Sequence, residues 1–182
     1  VTTMKKLRDF IGNTEFFKKF EVDDLLFAEF KCPHDQSKAS VWWHNNFFAY
    51  VLAGETVMKT PQGEYTIKSG DCVFAKKGSI ITYGESQDEF CELVVFVPDN
   101  FIRSVIQKHK IPIGADRVEK SDTILPLSTD NVLLSYFHSL LSYFPLSSPP
   151  SPTLLRLKFE ELIVNILSAN NHLPKASASA SA

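Results

Sequence analysis

Short β-rich runs that end at glycine turns fill the stretch from Tyr50 to Tyr83, and this pattern constrains the fold most. The stretch reads YVLAGETVMKTPQGEYTIKSGDCVFAKKGSIITY. Runs this short, each closed by a turn residue, are typical of antiparallel strands in a meander that closes into a small barrel or jelly roll. Glycine suits such turns because it takes positive φ angles without a Cβ clash.

The composition is that of a globular domain with a substantial core. The chain has 182 residues, of which 44% are hydrophobic and 12% aromatic, and this excludes a disordered protein. Its 19 Lys and Arg are balanced by 21 Asp and Glu without a basic stripe. We therefore expect this chain not to bind duplex DNA by itself. No apolar run approaches the length of a membrane-spanning helix, so no membrane span is predicted.

Cysteine usage indicates a reducing compartment. Cys32, Cys72 and Cys91 are an odd number and lack C-x-x-C spacing, so we interpret them as reduced, partly buried thiols rather than as a disulfide or a metal site. The sequence shows no signal peptide. Both observations favour a cytoplasmic protein.

Further elements flank the meander on both sides. The segment Val1–Lys19 is predicted to be an arm that packs on the barrel, and Glu21–Cys32 is predicted to be a first strand. The run FCELVVFV at Phe90–Val97 indicates a buried strand. A helix is expected to follow, with Asp99 as its N-cap and basic residues at its end near Lys110.

From residue 128 the apolar residues follow a helical period. A first helix, capped by Ser128 or Thr129, is expected to stop at Pro145. A second helix is predicted to begin with Ser151 as N-cap and Pro152 at its first position. Their main apolar stripes contain Leu133, Phe137, Leu140, Leu141 and Phe144 in the first, and Leu155, Phe159, Leu162, Ile163 and Ile166 in the second. Two such helices joined by a Pro-rich loop form a helical hairpin.

A barrel of hairpins followed by two amphipathic helices resembles the regulatory half of AraC-type transcription factors. The resemblance rests on YVLAGE, GEYTIKSGDCVFAKKGS and LLRLKFEELIVNIL, and it covers roughly positions 40 to 172. It is closer to the subfamily that activates type III secretion genes than to the sugar sensors. The implied fold is mainly β with α: a cupin-like antiparallel β-barrel (jelly roll) followed by a C-terminal helical hairpin. The expected units are a barrel with its arm at 1–126, a helical dimerisation unit at 127–172, and a disordered tail or foreign remnant at 173–182.

The resemblance also implies a function. It predicts the regulatory and dimerisation domain of an AraC-family regulator, a homodimer that senses a regulatory protein or a small effector. Promoter DNA would be bound through a C-terminal domain with two helix-turn-helix motifs. This sequence lacks that domain, so we expect it to be a piece of a longer chain.

The alternative is a small-molecule-binding or catalytic cupin protein. Cupin metal sites use an H-x-H pair with a Glu, and a further His on a later strand. Here Asn45 and Asn46 follow His44, and Ile81 occupies the place of the later His. No nucleophile motif or nucleotide-binding glycine motif is present either. We therefore predict no metal, no cofactor, no catalytic residues and no enzyme activity.

The aromatic cluster before and within the meander allows two interpretations. A barrel of this size can hold one small ligand, with aromatic faces for stacking and a few polar groups for orientation. The candidate ligand-pocket residues are Trp42, His44, Tyr50, Tyr83 and Glu92. The other interpretation is that the barrel is filled by its own side chains, and it is favoured because the chain has 15 Phe.

A second apolar stripe on the last helix predicts a dimer interface. Leu154, Leu157 and Val164 lie off the main stripe, and charged or polar residues rim them. A helix on the surface of a monomer needs one apolar stripe, so a second one suits a two-fold partner. The predicted interface residues are Leu154, Leu157, Glu161, Val164, Tyr136 and Tyr143. The alternative is that both stripes are internal, with the helix between the barrel and its hairpin partner.

Overall fold

The structure of the protein, a computed structural model, describes residues 5–6, 18–32, 40–83, 90–112 and 123–170. These ranges contain eleven strands and three helices. The strands are β1 (Lys5–Lys6), β2 (Lys18–Val22), β3 (Leu25–Cys32), β4 (Ser40–Trp43), β5 (Asn46–Ala53), β6 (Glu55–Thr60), β7 (Gly63–Lys68), β8 (Cys72–Ala75), β9 (Ser79–Tyr83), β10 (Phe90–Val97) and β11 (Ile124–Leu127). The helices are α1 (Asp99–His109), α2 (Asn131–Leu141) and α3 (Pro152–Asn170).

The strands form two sheets that pack face to face. One sheet has five strands in the order β1-β4-β9-β6-β7, and the other has six in the order β11-β8-β5-β10-β3-β2. Neighbouring strands are antiparallel except for the β1–β4 pair. Strands β5 to β8 end at the turns that the glycine pattern indicated. The predicted mainly β architecture with a helical hairpin is therefore confirmed.

Side chains between the two sheets form an inner core. Strand β10 shows how the chain builds it: Phe90, Val94 and Phe96 face inward, whereas Leu93 and Val95 face the helices. This alternation follows from the pleat of the strand. Because both faces of β10 are covered, all eight of its residues are buried. A strand covered on both faces has a continuous apolar sequence, as FCELVVFV does.

The helices cover the outer face of the six-stranded sheet and form an outer core with it. The Tyr50 ring on β5 stacks on Phe137 of α2, with ring centroids 4.6 Å apart and planes 5° from parallel. The rings of Phe27 on β3 and Phe159 on α3 also pack together, with their centroids 5.5 Å apart. Sheet and hairpin thus share one apolar cluster. The buried hairpin residues in it are Leu133, Tyr136, Phe137, Leu140, Phe144, Leu155, Phe159, Leu162, Ile163 and Ile166.

Two segments at the start of the chain differ from the prediction or lie outside the described residues. The expected single strand over Glu21–Cys32 is a β-hairpin, in which β2 and β3 are joined at Asp23 and Asp24. Asp23 takes a φ of 53°, a left-handed conformation that Asp tolerates better than most residues. Of the predicted arm, only residues 5–6 and 18–19 are described.

Helix starts were predicted correctly in one case of three. Pro98, and not Asp99, is the N-cap of α1, and no side chain caps this helix. The N-cap of α2 is Asp130, whose Oδ1 accepts a hydrogen bond from the Leu133 N–H at 2.8 Å, rather than Ser128 or Thr129. The N-cap of α3 is Ser151, as predicted, since its Oγ accepts from the Leu154 N–H at 3.2 Å. The proposed domain boundary at 126/127 falls within β11.

Candidate dimerisation surface and ligand-binding residues

One side of α3 stays uncovered in the fold, and it carries two large apolar side chains. Leu154 is 39% exposed and Leu157 is 54% exposed, whereas Leu155 and Phe159 on the opposite side are buried. Residues three apart are neighbours on a helix surface, so the two exposed leucines form one patch. We call Leu154, Leu157 and Glu161 the outer face of α3. Leu154 and Leu157 both belong to the second apolar stripe described in the sequence.

The ammonium group of Lys158 lies in the groove between α2 and α3, beside the outer face. The Lys158 Nζ donates hydrogen bonds to Ser139 Oγ at 2.9 Å and to Glu161 Oε2 at 2.8 Å. The same nitrogen lies 5.6 Å from the centre of the Tyr136 ring, a cation–π distance. The Lys158 side chain is only 18% exposed. This network fixes the pairing of the two helices.

Three of the predicted interface residues are more buried than the prediction implied. Tyr136 is 2% exposed and belongs to the outer core. Burial is the main cause that raises the pKa of its hydroxyl well above the usual value, and the nearby Glu161 carboxylate adds to it. Tyr143 and Val164 are half-buried and pack against the same core. Leu154 and Leu157 are therefore the apolar part of the stripe that is open to a partner.

Ion pairs tie the remaining side of α3 to the rest of the domain. Arg156 donates two hydrogen bonds to the Asp23 carboxylate, at 2.8 and 3.2 Å. This hydrogen bonding is the main cause that lowers the Asp23 pKa. Lys108 and His109, in the last turn of α1, contact the Glu160 carboxylate. Hydrogen bonds from these two side chains lower the pKa of Glu160. Charged contacts thus orient the helix so that its outer face points away from the sheet.

The structure places two of the predicted ligand-pocket residues, Tyr50 and Glu92, in different surroundings. Tyr50 pairs with Leu93 in the β5–β10 register and belongs to the outer core, under the helices. Glu92 pairs with Val51, which belongs to the inner core, and is 1% exposed. Tyr50 and Glu92 therefore lie on opposite faces of the six-stranded sheet.

Of the other three pocket residues, only His44 has a described side chain. His44 lies in the turn between β4 and β5 and is exposed. Trp42 and Tyr83 lie on β4 and β9, paired with Ile80 and Met58 respectively, but their side chains are outside the described part of the structure. The ligand pocket inside the barrel stays a prediction, with Glu92 as its inward-facing polar residue.

Sequence reasoning missed a polar corner that joins three elements. The Asn46 side chain, 6% exposed, donates to the Asp99 carboxylate and accepts from the Lys77 N–H at 3.1 Å. The Lys77 ammonium also contacts Asp99, and this hydrogen bond is the main cause that lowers the Asp99 pKa. These residues are far apart in sequence, so only the fold brings them together. The corner positions α1 against the β8–β9 turn.

The described residues contain no evident metal site or membrane helix. Within these ranges, no group of three His, Cys, Asp or Glu side chains is placed to hold a metal ion. No helix in the described part of the chain is long and apolar enough to cross a membrane. Cys72 and Cys91 are buried thiols, and burial raises the pKa of Cys72 to about 12.

Comparison with the solved structures of ToxT supports the fold. An apo variant of ToxT from Vibrio cholerae superposes on 82% of this chain with a TM-score of 0.58 at 13% identity. ToxT from the same organism bound to (E)-4-(8-methylnaphthalen-1-yl)but-3-enoic acid matches 83% of the chain with a TM-score of 0.53 at 12% identity. The chain spans 58% and 59% of these two ToxT chains. An ethanolamine utilization protein from Salmonella typhimurium matches 45% of this chain and 68% of its own at 20% identity, with a TM-score of 0.39.

Comparison with families gives the assignment. None of the curated proteins matches the chain significantly. The model of the ExsA N-terminal regulatory domain matches residues 46–174, which include both sheets' central strands and the whole helical hairpin. This match confirms the resemblance drawn from the glycine pattern and the last helix. The chain belongs to the family of ExsA N-terminal regulatory domains, the regulatory half of AraC-type transcription regulators.

Proposed function

We propose that this domain pairs two copies of a promoter-binding regulator through the outer face of α3. The observation that carries the proposal is the exposure of Leu154 and Leu157 on a helix whose other sides are occupied by the sheet, α1 and α2. Burying two leucines against a partner removes apolar surface from water, at roughly 25 cal/mol per Å². In a two-fold dimer the same patch serves both subunits.

The charge pattern around the patch supports a partner helix. Glu161 lies beside the leucines and is already paired with Lys158 within the same subunit. The patch therefore buries no unpaired charge when it is covered, a condition that protein interfaces favour. The network through Ser139 and Tyr136 also holds α2 and α3 as one rigid unit, so little order has to be gained on binding.

In the whole protein, DNA binding would belong to a helix-turn-helix domain outside this sequence, and the regulator would work in the cytoplasm. The charge balance of 19 basic and 21 acidic residues supports a domain that does not hold DNA by itself. We assign no catalysis to it. ToxT bound to a small carboxylic acid supports a small effector as one input, and a regulatory protein is the other candidate.

A fusion experiment tests the proposal. The domain is joined to a monomeric helix-turn-helix module that binds a palindromic operator only as a dimer, and binding is measured by gel shift at moderate salt. We expect the fusion to bind tightly, whereas the domain alone shows no sequence-selective complex. The variant Leu154→Glu/Leu157→Glu should lose operator binding.

Leu146→Glu is the matched control, since Leu146 is also an exposed leucine, 55% accessible, but lies in the loop after α2. It should bind the operator like the wild type. Operator binding that survives in Leu154→Glu/Leu157→Glu, with the variant folded, would show that this face does not mediate pairing.

A further inference from the structure

A narrow slot separates the two sheets on one side of the domain. Its walls are β7, the last strand of the five-stranded sheet, and β11, the last strand of the six-stranded sheet, with β8 at its base. Its volume is about 290 Å³, and all of its lining lies within the described residues. Most of the lining is apolar: Tyr65, Ile67, Cys72, Val73, Ile124, Pro126 and Leu127.

Hydrogen bonds fix both ends of the slot. At one end the Thr123 Oγ1, just before β11, donates to Gln62 Oε1 in the β6–β7 turn at 2.7 Å. At the other end the β7–β8 turn is closed by bonds between Lys68 and Asp71. The Lys68 N–H donates to Asp71 Oδ2, and the Asp71 N–H donates to the Lys68 carbonyl, both at 2.9 Å. The slot therefore has a defined length.

The backbone of β11 prevents the two walls from pairing with each other. The Lys76 N–H donates to the Thr123 carbonyl. Backbone groups alternate in direction along an antiparallel strand, so those of Ile124 and Pro126 point away from β8. Proline has no N–H to donate, and it is typical of edge strands that stay unpaired. The slot persists because this edge cannot complete a ladder.

The chemistry of the slot selects its ligand. Its floor is apolar, since it is formed by Ile67, Val73 and Ile124 of the inner core. Among the residues that line the slot, Asp71 is the one that carries a charge. Its Oδ2 accepts the hydrogen bond from the Lys68 N–H within the β7–β8 turn. The other carboxylate oxygen remains able to accept from a ligand. The apolar part of a ligand would pack against this floor, and an ammonium group would donate a hydrogen bond to the Asp71 carboxylate.

We propose that the slot between β7 and β11 is a binding site for a small amine with an apolar body, such as an arylalkylamine. It lies at the edge of the inner core, between the two sheets, and it is distinct from the outer face of α3. The ammonium group donates a charge-assisted hydrogen bond to Asp71 at the rim. The ring lies against Ile67 and Ile124.

Protein-observed NMR titration with phenethylamine tests the proposal. A ligand of this size binds with a Kd on the order of 1 mM. We expect saturable shifts at the amides of Thr66 and Ile124. The acid of similar shape, 3-phenylpropionate, should bind at least tenfold more weakly, because its carboxylate meets Asp71. Equal binding of amine and acid, or no saturable shift with the amine, would overturn the assignment.

Two variants with matched controls locate the site. Asp71→Asn keeps an acceptor for the Lys68 N–H and removes the charge, and it should weaken phenethylamine at least fivefold. Asp24→Asn, an exposed aspartate in the β2–β3 turn, should not. Pro126→Trp places a ring over the slot and should abolish binding, whereas Pro145→Trp in the loop after α2 should not. Wild-type affinity in folded Asp71→Asn and Pro126→Trp would place the ligand elsewhere.

Discussion

Replacing Phe137 by alanine should destabilise the whole domain, because this ring joins the hairpin to the sheet. Phe137 is fully buried, stacks on Tyr50 and meets the Tyr136 ring edge-on at 5.3 Å. A buried Phe hides at least about 150 Å², which at roughly 25 cal/mol per Å² amounts to about 4 kcal/mol. Measured Phe→Ala costs of roughly 3–5 kcal/mol agree with this figure. Phe137→Leu should cost much less, since it leaves a smaller cavity.

The assay is urea unfolding at fixed protein concentration, followed by two probes. Tryptophan fluorescence reports on β4, which carries Trp42 and Trp43, and far-UV circular dichroism reports on the helices. We expect the two transitions to coincide in the wild type and in Phe137→Ala, with both shifted to lower urea. If the helical signal were lost separately, or if the loss of stability were below about 1 kcal/mol, the hairpin would not share a core with the sheet.

Three further predictions test local features. Hydrogen bonds from Lys108 and His109 stabilise ionised Glu160 and lower its pKa from the usual 4.5. The contribution of Glu160 to stability is therefore present above pH 4.5 and is lost as the pH falls through the folded-state pKa. Glu160→Gln should therefore be less stable than the wild type near neutral pH, and the difference in unfolding free energy should vanish in acid. Asp130→Ala should cost about 1 kcal/mol in urea unfolding through loss of the α2 N-cap, whereas Ser128→Ala should change little. Elemental analysis of the purified domain should find far less than one transition metal per chain, because His44 lacks an H-x-H partner; about one Fe, Mn, Zn or Ni per chain would favour a cupin enzyme.

Local signals in the sequence were sufficient for the elements themselves. Gly54, Gly70 and Gly78 take φ angles of 77°, 92° and 84°, which other residues adopt with strain, so the turns of the meander were legible. The helical period of the last segment and its Ser151-Pro152 start indicated α3, which spans Pro152–Asn170. The sequence did not show which of Ser128, Thr129 and Asp130 is the N-cap of α2, because all three side-chain types cap helices well.

Strand faces were not legible from the sequence. The first six residues of β5 are all buried, so no polar–apolar alternation shows which residues face inward. A shift of one residue exchanges the two faces of a strand. The grouping of Tyr50 with Glu92 depended on that register, and the β5–β10 pairing separates them.

The helical period predicted a second apolar stripe on α3, but it did not predict how much of that stripe stays exposed. Leu154 and Leu157 are exposed, whereas Val164 is half-buried and packs against the core. A sequence gives the angular position of each side chain on a helix. It does not give the position of the neighbouring elements, which decides what remains uncovered.

Sedimentation velocity of the isolated domain at tens of micromolar tests the central claim most directly. We predict a dimer for the wild type and for Leu146→Glu, and a folded monomer for Leu157→Glu, whose charge would be buried without a partner at the interface. Circular dichroism confirms that each variant is folded. A monomeric wild type, or a Leu157→Glu variant that remains dimeric, would contradict the claim that the outer face of α3 pairs two copies of this regulatory domain.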